Sequence, residues 1–203
     1  MLYTVIVLGG TLLIALGITL LKGASFFYAL AFTVLAVVIV VAIDGIVAAA
    51  ARTLPEWCAD RRKRIFRVSP REKRFYEKIK IRKWKDKIPE LGHLTGFRKN
   101  KLQDPKSVEY VDRFLLESCY GEIDHFVSAV LGFATLAFSF LTPFWKAIAI
   151  PVSAINAILN ILPLFILRYN FYKLEIFRAR ILKKEKTETE AENFMQEIAT
   201  TEA

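Results

Sequence analysis

The run Glu117-Ser-Cys-Tyr-Gly-Glu-Ile-Asp-His125 places three carboxylates and a histidine within nine residues. It leads directly into residues 126–141, which carry no charge. A histidine among acids is the material of proton transfer, because a neighbouring carboxylate raises imidazole basicity and stabilises the imidazolium. On one helix, at about 100° per residue, Glu117, Gly121, Asp124 and His125 share an arc about 100° wide. Glu122 falls about 60° beyond His125 on the same construction. The spacing therefore predicts His125 as a general base, with Glu117, Glu122 and Asp124 all open as its partner. Gly121 leaves room for a substrate or a neighbouring helix to approach. Cys119 offers an acyl-accepting thiol that His125 could activate, against the plainer reading of a small packing residue.

The second histidine repeats a local pattern, since Glu90-Leu-Gly-His93 matches Glu122-Ile-Asp-His125 as Glu-x-x-His. Paired motifs of this kind hold two metal ions in carboxylate helical bundles. The alternative reading is thus a metal site on Glu90, His93, Glu122 and His125, with Glu117 and either Glu109 or Glu77 in support. Pro89 and Gly92 argue against a regular helix turn at the first motif. The leading reading needs no cofactor. In the last apolar segment Ser153, Asn156 and Asn160 share one face, and Pro163 continues it. Asp44 lies about 12 Å inside its segment, counted back from Arg52. Polar groups at such depth face a bundle interior or a cavity.

These residues are carried on four apolar segments. Of the 203 residues 54% are hydrophobic and mean hydropathy is +0.35, too apolar for a soluble domain of this size. Residues 2–21, 126–141 and 147–167 have no charge, and 26–51 have only Asp44. Three of these reach the roughly 20 residues a helix needs to cross a bilayer. The third is short and must extend through Ile123 or toward Trp145, a residue suited to the interfacial belt. The expected fold is an all-α polytopic membrane protein with transmembrane helices at about 2–21, 26–51, 123–142 and 146–168. A basic insert at 52–122 separates the two helical pairs. Residues 1–182 form one membrane domain, and the polar tail 183–203 is expected to be frayed or disordered. Residues 2–21 lack the basic flank of a signal peptide and read as a membrane helix.

Charge sets the orientation. Of 29 Lys and Arg residues, 20 lie within 52–124 and seven after Leu167, leaving Lys22 and Lys146 for the two short turns. The positive-inside rule then places the insert and the C-terminus in the cytoplasm and the N-terminus outside, in the cell membrane. The net charge of +9 reads as a topology and membrane-surface signal, not a nucleic-acid one. Cys58 and Cys119 fall on the reducing side, with no CxxC and no zinc spacing. Within the insert, Phe75 to Pro89 interleaves bulky apolar residues with cations. That composition suits a segment lying in the headgroup plane and equally a solvated basic loop.

Three segments together resemble one family. They are Trp84-Lys-Asp-Lys-Ile-Pro-Glu90, Glu117-Ser-Cys-Tyr-Gly-Glu-Ile-Asp-His125 and Leu162-Pro-Leu-Phe-Ile-Leu-Arg-Tyr-Asn170. Their order and separation are similar to those of the glycosyl-4,4'-diaponeurosporenoate acyltransferases, small membrane enzymes with WKDxLP, Glu-x-Cys-x-Gly-Glu-x-x-His and Arg-Tyr-Asn motifs. The resemblance implies transfer of a fatty acyl group from acyl-CoA or another donor to a hydroxyl of a glycolipid at the cytoplasmic membrane face. Under it, His125 takes the hydroxyl proton, and Glu117, Glu122 or Asp124 orients the ring, with His93 a further candidate. Trp84, Lys85, Arg82, Arg168, Asn170 and Asn160 would bind substrate. The implied partners are the lipid bilayer, the donor and the glycolipid acceptor.

Overall fold

The computed structural model describes residues 2–88, 104 and 106–201. Four of its helices are long and apolar enough to cross a membrane, and the chain is all-helical as expected. α1 (Leu2–Lys22) and α2 (Phe26–Thr53) form the first pair. Gly23 closes α1 with φ +69 and donates its N–H to the Thr19 carbonyl at 3.1 Å, the left-handed cap that glycine adopts without steric cost. α2 stops where Leu54 turns extended (φ −65, ψ 138) ahead of Pro55, as the residue before a proline prefers. The second pair is α5 (Val108–Leu131) and α6 (Trp145–Thr201), which pack along one another. The Tyr28 hydroxyl donates to Thr142 Oγ1 at 2.9 Å, so the two short turns lie at one end of the bundle and the insert at the other.

α5 does two jobs. Ser107 caps it by accepting the Tyr110 N–H at 3.1 Å, and its first half packs with the insert. Ala59, Phe66, Val111, Phe114, Leu115, Cys119, Phe171 and Leu174 form that core. Its second half enters the bundle and continues as a 3-10 helix from Gly132 to Phe138. The tighter helix rises about 2.0 Å per residue against about 1.5 Å for an α-helix. Seven such residues gain several ångströms, which is how the short third segment gains reach.

The described half of the insert is folded rather than loose. Ser69 accepts the Glu72 N–H at 3.1 Å and Pro70 takes the first position of α3 (Pro70–Lys78), where a missing N–H is harmless. Lys80, in the left-handed region at φ 52, turns the chain into α4 (Ile81–Trp84). Tyr76 and Ile81 bury against Ile166 and Tyr169 of α6. The described part of this segment, to Ile88, is therefore packed against α6 rather than a solvated loop. One further expectation is revised. Trp145 is fully buried, its indole N–H donating to the Thr135 carbonyl at 2.7 Å, so it closes the second turn and is not part of an interfacial belt. α6 continues as helix through the tail to Thr201. Spaced pairs such as Lys184–Glu188 and Lys186–Glu190 favour helix there.

Close approach within the bundle occurs at two glycines. A Cβ on Gly132 would lie 2.6 Å from Asn156 Nδ2, and one on Gly121 2.9 Å from a Leu167 methyl. The leucine can rotate away; the Asn156 amide cannot without leaving its acceptors, Asp44 Oδ1 at 3.2 Å and the Ser128 carbonyl at 3.4 Å. Gly132→Ala should lower stability by about 1–3 kcal/mol, read as a lower midpoint of thermal unfolding in detergent. Gly121→Ala should cost clearly less, and the reverse order would contradict this packing.

Candidate active site

His125 sits on α5 where that helix passes from the insert side into the bundle. Its Nδ1 lies 2.9 Å from Asn160 Oδ1 of α6. Asn160 in turn donates from Nδ2 to Asp44 Oδ2 of α2 at 3.1 Å, and Asn156 donates to Asp44 Oδ1 at 3.2 Å. The asparagines lie one turn apart, so both amides reach the same carboxylate, and Asn160 Nδ2 also approaches Asn156 Oδ1 at 3.2 Å.

This arrangement fixes protons. The Asp44 carboxylate only accepts, so it must face the Asn160 NH2 group, which turns the amide oxygen toward His125. An amide oxygen also only accepts, so Nδ1 carries the ring hydrogen. In the neutral ring the basic lone pair is then on Nε2. His125 is half-buried.

The three acids of the sequence run are claimed separately. Asp124 accepts from Ser128 Oγ at 3.2 Å. Glu117, two turns before His125, pairs with Arg113 at 3.4 Å. Glu122 is 4% exposed and accepts from Arg168 Nη1 at 2.7 Å. Its other oxygen, Oε1, is buried with no hydrogen-bond partner among the described residues, one helical turn from His125.

Arg168 ties this end of the bundle to the insert. Its Nε and Nη2 form a two-pronged pair with Glu72 of α3, the Nη2 bond being 2.9 Å, and Nη1 also reaches the Ile65 carbonyl at 2.9 Å. Burial pushes the Glu72 carboxyl up, but hydrogen bonds from Arg168 and Tyr76 outweigh it and hold the group below the ordinary glutamate range. The Tyr76 hydroxyl, 2.5 Å from Glu72 Oε1, is held well above its usual range by burial and by that carboxylate. Arg168 thus shares its charge between two carboxylates and has little to offer a phosphate or an oxyanion.

The remaining candidates are scattered. The Trp84 indole N–H donates to the Ile79 carbonyl at 3.0 Å and its ring packs on the α3–α6 core, a structural placement. Arg82 is exposed, and Lys85 lies 3.8 Å from Asp86. Asn170 is half-buried on α6, two residues past Arg168. Cys119 is fully buried in the apolar core of the insert side, out of a substrate's reach. Glu90 and His93 lie outside the described residues. Among the described residues no group of three or more His, Cys, Asp and Glu gathers at metal-binding distance.

The family model for glycosyl-4,4'-diaponeurosporenoate acyltransferase, CrtO, matches residues 59–180, more than half of the chain. The chain belongs to this family. At that level it is a membrane acyltransferase, consistent with its four membrane-length helices. The matched stretch carries Glu72, Glu122, His125, Asn160 and Arg168, and leaves Asp44 outside it. No curated protein and no solved structure matches the chain.

Sequence reasoning found His125 and Asn160 separately but not their pairing. It had signals for both: Asn160 lay on the polar face of the last apolar segment, and Asp44 was the one charge of the second. Glu72 was missed, and the Ser-Pro-x-Glu start of α3 was the signal available for its helix position.

Removal of the Arg168 side chain leaves Glu122 and Glu72 without their cation. Breaking a buried pair in this way costs about 3–5 kcal/mol. Arg168→Ala should therefore lower the unfolding midpoint in detergent more than Arg113→Ala, whose partner Glu117 is in an exposed i,i+4 pair. Equal midpoints would contradict the strut role.

Proposed function

We propose that the protein moves a fatty acyl group from a thioester donor, acyl-CoA or a similar carrier, to a hydroxyl of a glycolipid, with His125 as general base. The observation that carries this reading is the fixed tautomer of His125, which keeps Nε2 unprotonated and available. In the reaction Nε2 takes the hydroxyl proton as the hydroxyl oxygen attacks the thioester carbonyl. The carbon–sulfur bond then breaks, and the leaving thiolate recovers the proton from the imidazolium, so charge and protons balance.

The surroundings support each substrate. Asp44 and His125 are both half-exposed at the wall of the helix bundle, where the surrounding medium is lipid, so a lipid-linked acceptor can approach sideways from the bilayer. On the insert side, a groove of about 260 Å³ is lined by Val68, Pro70, Lys73, Arg74, Glu77 and Tyr172. Lys73 sits 4.9 Å over the Tyr172 ring there. Its two cations suit the phosphates of a donor better than the committed Arg168 does. In this reading the insert and the C-terminus face the cytoplasm, the side that the distribution of Lys and Arg favours.

His125→Ala, purified in lipid nanodiscs with its fold verified by thermal unfolding, should lose about 10²- to 10⁴-fold in acyl transfer, the contribution of a positioned base. Transfer is followed by mass spectrometry of the lipid product, which gains one fatty acyl mass. Turnover within about threefold of the wild type would remove His125 from the chemistry.

A further inference from the structure

We infer that Asp44 is a positioning residue for His125, acting through the Asn160 side chain as a carboxylate–amide–imidazole relay across three helices. The inference rests on the general-base reading of His125 but adds a residue from α2, outside the stretch shared with the family. Three observations converge on it. Both Asp44 oxygens are held by asparagine N–H groups, at 3.2 and 3.1 Å, and among the described residues no ion pair to Asp44 is present. The Asn160 amide has its NH2 on the carboxylate and its oxygen on the imidazole, so it carries the polarity of one to the other. Asp44 lies deep in an otherwise chargeless apolar segment, where a carboxylate is costly to keep.

The chemistry follows from that polarity. A negative charge on the NH2 side of an amide increases electron density on its oxygen, which strengthens the bond accepted from Nδ1–H. The bond strengthens further when the ring becomes an imidazolium. Asp44 therefore stabilises the charged ring of the transition state and fixes which nitrogen is basic, without touching substrate. Asp124, the nearer acid in sequence, is hydrogen-bonded to Ser128 and acts on His125 through space, with no hydrogen bond to the ring, while Glu122 is engaged by Arg168. Asn156 holds the second Asp44 oxygen and keeps the carboxylate aimed at Asn160.

The test is an exchange of side chains. Asp44→Asn removes the charge at nearly constant shape and frees the Asn160 amide to turn. It should lower kcat by about 10- to 100-fold, the usual scale for a group one shell from the chemistry, with KM changed less than threefold. Asn160→Asp alone sets two carboxylates against each other and should also be impaired. The double variant Asp44→Asn with Asn160→Asp places a carboxylate directly on Nδ1–H and should recover most of kcat. Nitrogen-15 NMR of labelled histidine supplies a readout independent of activity. The wild type and the double variant should show His125 protonated at Nδ1, and Asp44→Asn a mixture of tautomers. An unchanged tautomer in a folded Asp44→Asn protein, or a double variant no better than the singles, would overturn the relay. If His125→Ala retained turnover while Asp44→Asn still shifted the tautomer, the relay would stand and the general-base reading would fall.

Discussion

A carboxylate placed in the hydrocarbon layer must find hydrogen-bond donors within the protein, because lipid offers none. Asp44 imposes that requirement on the whole bundle. Its donors come from α6, and the same asparagines reach back to α5 through Ser128 and His125. Three helices are thereby brought into register at one level. A slip of a single turn in α6 would carry the amides about 5.4 Å away and strand the charge. The glycine at 132 is a consequence of this register, since α5 must let the Asn156 amide pass at close range. One layer further in, Thr135 and Ser153 share a 2.8 Å bond and both reach the Gly132 carbonyl, which seals the start of the 3-10 stretch.

A second polar joint performs a different task. Arg168 spans from Glu122 in the bundle to Glu72 in the insert, and Arg61 and Arg178 add pairs to Glu175 and Asp112 nearby. Ion pairs of this kind rarely add much net stability relative to apolar packing. They specify a position. Here that position is α3 against α6, with the basic groove at the edge of the bundle. The motif Arg168-Tyr-Asn170 thus reads as an anchor: the arginine holds α3, and Tyr169 packs under Tyr76.

The global architecture was legible because it rests on composition. Apolar runs of membrane length, the polar face of Ser153, Asn156 and Asn160, and the isolation of Asp44 all show in the sequence, and four membrane-length helical spans cover those runs. The partner of His125 was not legible. Within one helix, proximity along the chain suggests that Glu117, Glu122 or Asp124 must serve it. Each of those side chains has a better partner: an arginine one turn back, an arginine from α6, or a serine one turn ahead. The group that reaches Nδ1 comes from 35 residues later, and no local periodicity encodes which of several polar residues on a facing helix will be level with it. Trp145 shows the same limit. Its type favours the interface, but the turn it closes offers a carbonyl and a cavity of its size, so burial prevails.

The depth of the site bears on its chemistry. From the start of α2 at Phe26 to Asp44 is about 27 Å along the helix axis, close to the roughly 30 Å of a hydrocarbon core. Asp44 and His125 therefore lie toward the insert end of their apolar segments. Arg52, about 12 Å further on, can extend into the headgroups. In the proposed reading, a lipid-linked hydroxyl would meet the acyl donor toward this end of the helices. A base placed deeper would meet only acyl chains, and one placed in the insert would compete with water for the thioester. A relay anchored on a membrane aspartate is then more than a way to hold a ring. In the proposed reading it would keep the basic nitrogen where a lipid hydroxyl can arrive from one side and a soluble donor from the other.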